Sequence, residues 1–155
     1  MENNNIESLN ESNIDELYYL LLELIDYHNN ISTYFKGKYP SKPLNDIIIE
    51  IKNKVQNGNS KVDGIRIDKK IIAFSIYFIE NNVGILEYIV TSKKHRNKGY
   101  GKKLMENVML YFKTANVKRI EIRMVYGNDN AIKFYSKFGF KIQSEILAIY
   151  LQDKT

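Results

Sequence analysis

The hydrophobic period of the chain changes near residue 60, and that change limits what it can fold into. Before it, Ile14, Leu17, Tyr18, Leu21, Leu24, Ile25 and His28 recur at helical spacing. Ser12 and Asp15 make a Ser-x-x-Asp start resembling a capping box, so a first helix of about 15 residues is expected here. Residues 31–43 read as a loop punctuated by Gly37, Pro40 and Pro43, and a second helix is expected over about 45–57. The period then drops to two. Residues 62–67, 71–80 and 83–91 are rich in β-branched and aromatic side chains, with turns at Asp68-Lys69-Lys70 and Asn81-Asn82. They predict a three-stranded antiparallel meander. Helical spacing returns at Leu104, Val108, Tyr111, Phe112 and Ala115, and residues 118–125 alternate as a strand. Residues 128–138 read as a short helix stopped at Gly139, and residues 140–151 as a final strand or hairpin. The asparagines near the start suggest a few loose residues. The expected order is ααβββαβαβ, an α/β fold with a mixed sheet and helices on its faces.

The 155 residues contain no internal repeat and no Gly-, Ser- or Pro-rich linker, which suits one domain over 1–155. The absence of cysteine excludes disulfides, thiolate metal sites and a cysteine nucleophile. His28 and His95 are the only histidines, so no metal is expected. The N-terminus lacks the basic region and apolar core of a signal peptide, and the longest apolar run, 71–79, falls short of the roughly 18 residues that span a bilayer. A cytoplasmic protein without a membrane segment is expected. Charge is divided unevenly: residues 1–60 carry five basic and nine acidic side chains, the remainder 18 and nine. The basic part should meet an anion, whether nucleic acid, membrane surface or phosphorylated small molecule.

Residues 91–104 hold six Lys/Arg and no acid, between a strand and a helix, and contain Arg96-x-x-Gly99-x-Gly101. Glycine admits close backbone approach, and a helix start offers unpaired N–H groups with partial positive charge. Together with the lysines they make a cradle for phosphate or pyrophosphate. A dinucleotide fingerprint would need glycine or alanine at position 104, where Leu104 stands, and no P-loop string occurs. A basic glycine loop also serves as a plain solvated connection. The basic residues crowd this one loop without interleaved aromatics, which favours a compact phosphate ligand over nucleic acid. After the next strand, Asn128 fits a helix N-cap and Tyr135 follows two turns later on the same face.

Strand, Arg96-x-x-Gly99-x-Gly101, helix, strand, Asn128-x-x-Ala131-x-x-x-Tyr135-x-x-x-Gly139-Phe140 resembles the GNAT superfamily of acetyl-CoA-dependent N-acetyltransferases, most strongly over residues 83–142. The resemblance implies a mostly antiparallel sheet that splays around the cofactor. It implies acetyl-CoA as co-substrate, with the pyrophosphate held by Arg96, Asn97, Lys98, Gly99, Tyr100, Gly101 and Lys102. The pantetheine arm would lie in the splay beside Ile89, Val90 and Thr91, with Asn128 and Phe134 also at the cofactor. It implies direct attack by a small-molecule or peptide amine, with Tyr135 as the acid that protonates the thiolate and Glu87 as the base. For Glu87, a solvent-facing position or a lysine pair is the other reading. Tyr34, Phe35 and Tyr39 are candidates to line the acceptor site or to pin a loop, and Asp15, Glu16, Glu23, Asp26, Asp46 and Glu50 to attract a cationic amine. His28 reads as a packed, hydrogen-bonded histidine and His95 as a loop residue. A homodimer exchanging the strand after Phe140, a non-catalytic acyl-CoA binder and a nucleic-acid module remain open alternatives.

Overall fold

The computed structural model describes residues 5–151; residues 1–4 and 152–155 lie outside the described part. A short strand, β1 (Ile6–Ser8), leads through a 3-10 segment (Glu11–Leu17) into α1 (Tyr18–Ile31), followed by α2 (Leu44–Gln56). Three strands come next: β2 (Lys61–Ile67), β3 (Lys70–Glu80) and β4 (Val83–Thr91). Then come a 3-10 turn (Lys93–His95), α3 (Tyr100–Thr114), β5 (Arg119–Ile122) and α4 (Asp129–Ser136). The sheet order is β1-β2-β3-β4-β5, antiparallel through β4, with β4 and β5 parallel. This is the expected mixed α/β architecture. Both meander turns place two successive residues at positive φ, Asp68 and Lys69, then Asn81 and Asn82, the backbone hand that joins twisted antiparallel strands. Among the described residues no helix is long and apolar enough to cross a membrane.

Three details differ from the expectation. Ile6–Ser8 is an edge strand paired with Asp63–Ile65, although so short a segment shows no period of its own. The first helical stretch starts two residues earlier than Ser12. Asn10 accepts the Ser12 N–H at 3.0 Å, and the Asn13 side chain accepts the Asn10 N–H at 3.1 Å. Residues 141–150 form no strand: Ile146 and Leu147 are 84% and 96% exposed. Among the described residues the outer edge of β5 stays unpaired, so apolar, β-branched composition by itself does not make these residues a strand.

Helices cover both faces. Leu17, Leu20, Leu21, Ile47, Ile48 and Ile51 pack on Phe74, Ile76 and Val90 from one side. On the other, α3 buries Met105, Val108 and Phe112 completely against Tyr77 and Leu86, and Leu104 against Ile65 and Ile72. Each such side chain contributes about 1.5–3 kcal/mol of transfer free energy.

One irregularity interrupts the sheet. Leu86 pairs with Tyr77, but Tyr88 pairs with Ile76, so Glu87 is an extra residue bulged out of the β3–β4 ladder. The bulge reverses the alternation of β4. Leu86 and Ile89 both pack on the α3 face, whereas Tyr88 and Val90 pack with α1 and α2. The parallel ladder to β5 stops just before it, at Leu86 and Ile122. From Glu87 to Thr91, β4 keeps β3 as its one partner, and a split opens beside it.

Candidate active site

The split has a basic rim. Beyond Thr91 the chain turns through Lys93–His95, passes Asn97 at φ 61° and Gly99 at φ 88°, and begins α3. Nothing lies within 4 Å of the position a Gly99 Cβ would take, so the backbone there is open to approach. The left-handed φ of Gly99 would strain any other residue by about 1–2 kcal/mol. No side chain caps the start of α3, whose first N–H groups have no partner within the helix. Lys98 and Lys102 are exposed, the latter 3.7 Å from Glu106, a surface pair of little energetic consequence. Gly101 faces α4 and the strand end: a Cβ there would lie in ordinary contact, 3.6 Å from the Phe134 ring and 3.8 Å from Thr91 Oγ1.

The amides that face the split follow from the ladder. The Ser92 N–H donates to the Ile72 carbonyl at 2.8 Å. Alternation therefore turns Val90 and Tyr88 toward β3, and Ile89 and Thr91 away from it. The Thr91 carbonyl accordingly accepts Arg96 Nε at 3.3 Å. Of the three residues expected beside the arm, Ile89 turns its amide to the split, while the Val90 amide is turned to β3 and its side chain is buried in the α1–α2 core. The Thr91 amide faces the split as well. Arg96 bends back over its own loop rather than outward: its guanidinium lies 5.1 Å from the centre of the Tyr27 ring.

Asn128 caps α4, accepting the Ala131 N–H at 3.2 Å through Oδ1. The same oxygen accepts the Tyr27 hydroxyl at 3.1 Å. Tyr27 had no signal in the sequence, because nothing in local spacing relates α1 to a residue 101 positions on. Tyr135 is buried between the rings of Phe134 and Phe140, and burial raises its pKa far above the ordinary tyrosine value. It therefore holds its proton at neutral pH.

Glu87 lies on the opposite face from Tyr135. Its Oε1 is 3.3 Å from Lys54 Nζ, so the lysine-pair reading holds for one oxygen. Its Oε2 is buried and has no hydrogen-bond partner among the described residues. Burial pulls Lys54 down, but its hydrogen bond to Glu50 and the charges of Glu87 and Glu50 outweigh that and raise its pKa. Glu87 borders a cavity of about 350 Å³ together with Phe78, Glu80, Ile85, Glu121 and Arg123. A cavity of similar size between Phe112, Ile120 and Phe140 lies at the start of β5, away from the basic rim.

Most of the other candidates have structural partners, while Asp26 and Asp46 are exposed on the helices. Asp15 pairs with Lys52 at 2.8 Å, Glu16 with Arg66 at 2.6 Å, and Glu50 with Lys42 and Lys54. Glu23 accepts the Lys93 N–H at 3.0 Å. Tyr39 is pinned through its backbone by Asn29, while Tyr34 stacks on Tyr126 and Phe35 packs on Tyr150. His28 packs edge-on against Tyr39 without a side-chain hydrogen bond among the described residues, and His95 lies against Tyr100.

The sequence profile of the acetyltransferase (GNAT) family matches residues 24–140. Among solved structures, a variant of the BH1408 protein from Bacillus halodurans is similar with a TM-score of 0.76 and 19% identity, over 96% of this chain and 99% of that one. The PaiA N-acetyltransferase of Thermoplasma acidophilum, solved in complex with coenzyme A, gives 0.75 and 18% over 92% of each chain. A GNAT-family acetyltransferase from Staphylococcus aureus Mu50 gives 0.69 and 23%, over 88% of this chain and 84% of that one. At these identities the likeness is one of fold. No curated protein matches the chain.

Proposed function

The chain belongs to the acetyltransferase (GNAT) family, and from that premise we propose that it moves an acetyl group from acetyl-CoA to a primary amine by direct attack. The observation that carries this reading is the split beside β4, with outward-facing amides along it and an open, basic, glycine-containing helix start at its end. The residues fit such a group. The open surface at Gly99 and the exposed lysines suit a diphosphate, and the narrow split suits an extended arm.

In this reading the backbone of Asn97 to Gly101, with Lys98 and Lys102 beside it, holds the pyrophosphate. The Ile89 and Thr91 N–H groups hold the arm and stabilise negative charge on the acyl oxygen. When bound, acetyl-CoA supplies an activated thioester. An alkylamine has a pKa of about 10 and must lose a proton to attack. Glu87 is the proposed acceptor of that proton; one of its oxygens pairs with Lys54, and the other is buried without a partner among the described residues. Tyr135 is the proposed donor to the departing sulfur; its hydroxyl carries a proton at neutral pH, as a tyrosine ordinarily does. The amine reaches Glu87 through the cavity it borders. Of the charged groups on that lining, Glu121 pairs with Arg119 and Arg123 adds a positive charge, which leaves Glu80 beside Glu87 to meet the amine, small molecule or peptide.

Calorimetric titration with acetyl-CoA, and with coenzyme A and a short RNA beside it, tests the proposal. Micromolar binding of both CoA forms is expected, together with thiol release when a panel of amines is added. Absence of binding to either form overturns it.

A further inference from the structure

We propose that Tyr27 is a positioning residue that ties together the two flanks of the split and fixes Asn128 as a hydrogen-bond donor toward what binds there. This rests on the acetyl-CoA reading. The two flanks belong to different parts of the chain. The basic rim follows β4, α4 follows β5, and the ladder between those strands has already ended at Leu86 and Ile122. Sheet hydrogen bonds therefore do not set the distance between them.

Tyr27 comes from a third element, α1, and touches both. Its ring supports the Arg96 guanidinium at 5.1 Å. Its hydroxyl donates to Asn128 Oδ1 at 3.1 Å. Arg96 passes the restraint to the strand end through the Thr91 carbonyl, and Asn128 passes it to α4 through the Ala131 N–H. A second observation supports a built contact. The residue before Asn128 is Gly127, at φ 95°, and a Cβ there would lie 2.7 Å from the Ile31 carbonyl at the end of α1. Only glycine lets this loop come so close to α1.

The bonding also orients the Asn128 amide. The Ala131 N–H can only donate, so the atom facing it is the oxygen. With the Tyr27 hydroxyl on the same atom, both acceptor sites of Oδ1 are in use. The Nδ2 group makes no bond to the described residues, so the end of the side chain left for a ligand is a donor. It suits an amide carbonyl or a phosphate oxygen.

Two substitutions separate the parts. Tyr27→Phe keeps the ring and removes the hydroxyl; Tyr27→Leu removes both. Hydrogen exchange of the ligand-free protein, read by mass spectrometry, reports the tie without any cofactor. In Tyr27→Phe, exchange at 128–134 should quicken while 93–101 stays as in the wild type; in Tyr27→Leu both segments should quicken. Acetyl-CoA affinity, measured by calorimetry, should fall three- to tenfold in Tyr27→Phe and further in Tyr27→Leu. Tyr19→Phe, an exposed tyrosine on the same helix, is the control and should change neither. Affinity within twofold of wild type together with unchanged exchange at 128–134 overturns the inference. So does exchange that quickens uniformly over α1 and α2, which marks a merely structural side chain. If Tyr27→Leu does not fold, Tyr27→Phe decides. If the wild type binds no acetyl-CoA, the acetyltransferase reading falls, and the exchange pattern still decides whether Tyr27 joins the two flanks.

Discussion

The proposed acid and base, Tyr135 and Glu87, stand in different environments. Tyr135 is buried among aromatic rings, which raises its pKa, and Glu87 has one oxygen 3.3 Å from Lys54 Nζ. Tyr135→Phe should lower turnover about a hundredfold, the low end of what a positioned acid supplies, with acetyl-CoA affinity nearly unchanged in calorimetry. Turnover within twofold of wild type would remove it as the acid. His28 bears on stability instead. Burial depresses its pKa below 6.5, so as the pH falls through 6.5 the unfolded chain takes up this proton before the folded one does. Its contribution is complete above that value and is lost below it. Urea unfolding of His28→Gln should show a shallower loss of stability between about pH 7 and 5 than the wild type. Equal slopes would assign the acid sensitivity to other groups.

Elements were legible in the sequence wherever their signal is local. The meander follows from period two with Asn81-Asn82 at a turn, and α3 from the stripe through Leu104, Val108 and Phe112. The loop from Arg96 to Gly101 was legible because its chemistry lies in consecutive residues. What was not legible depends on partners distant in the chain. Ile6–Ser8 becomes a strand by pairing with β2, whereas residues 141–150 leave the outer edge of β5 unpaired despite their apolar composition, so neither outcome follows from local composition. The bulge at Glu87 is set by register with β3, and it decides which of the neighbouring residues 88–91 turn their amides toward the split. Gly84 belongs to the same class: a Cβ there would lie 2.8 Å from the Phe112 ring, so the glycine sets how closely α3 lies on β4. Gly84→Ala should cost about 1–3 kcal/mol by overpacking, read as a lower urea midpoint at unchanged slope. An unchanged midpoint would mean that the ring moves aside freely.

At the scale of the whole molecule, the uneven charge distribution works over distance. The net charge is +5, with the basic excess in the part that carries the rim. Exposed charges are screened beyond about 8 Å at physiological ionic strength. Acetyl-CoA affinity should therefore weaken steadily from 50 mM to 500 mM salt, and a salt-independent affinity would argue against phosphate recognition by this loop. The brevity of the ladder between β4 and β5, four residue pairs, also bears on the order in which the chain folds. The hairpins from β2 to β4 close between sequence neighbours, whereas β5 can pair only after the α3 crossover has formed, and few bonds reward that closure. During refolding, pulsed hydrogen exchange should find β2 to β4 protected first and residues 119–136 last. The newly folding chain would then pass through a stage in which the sheet exists and the place for the cofactor does not.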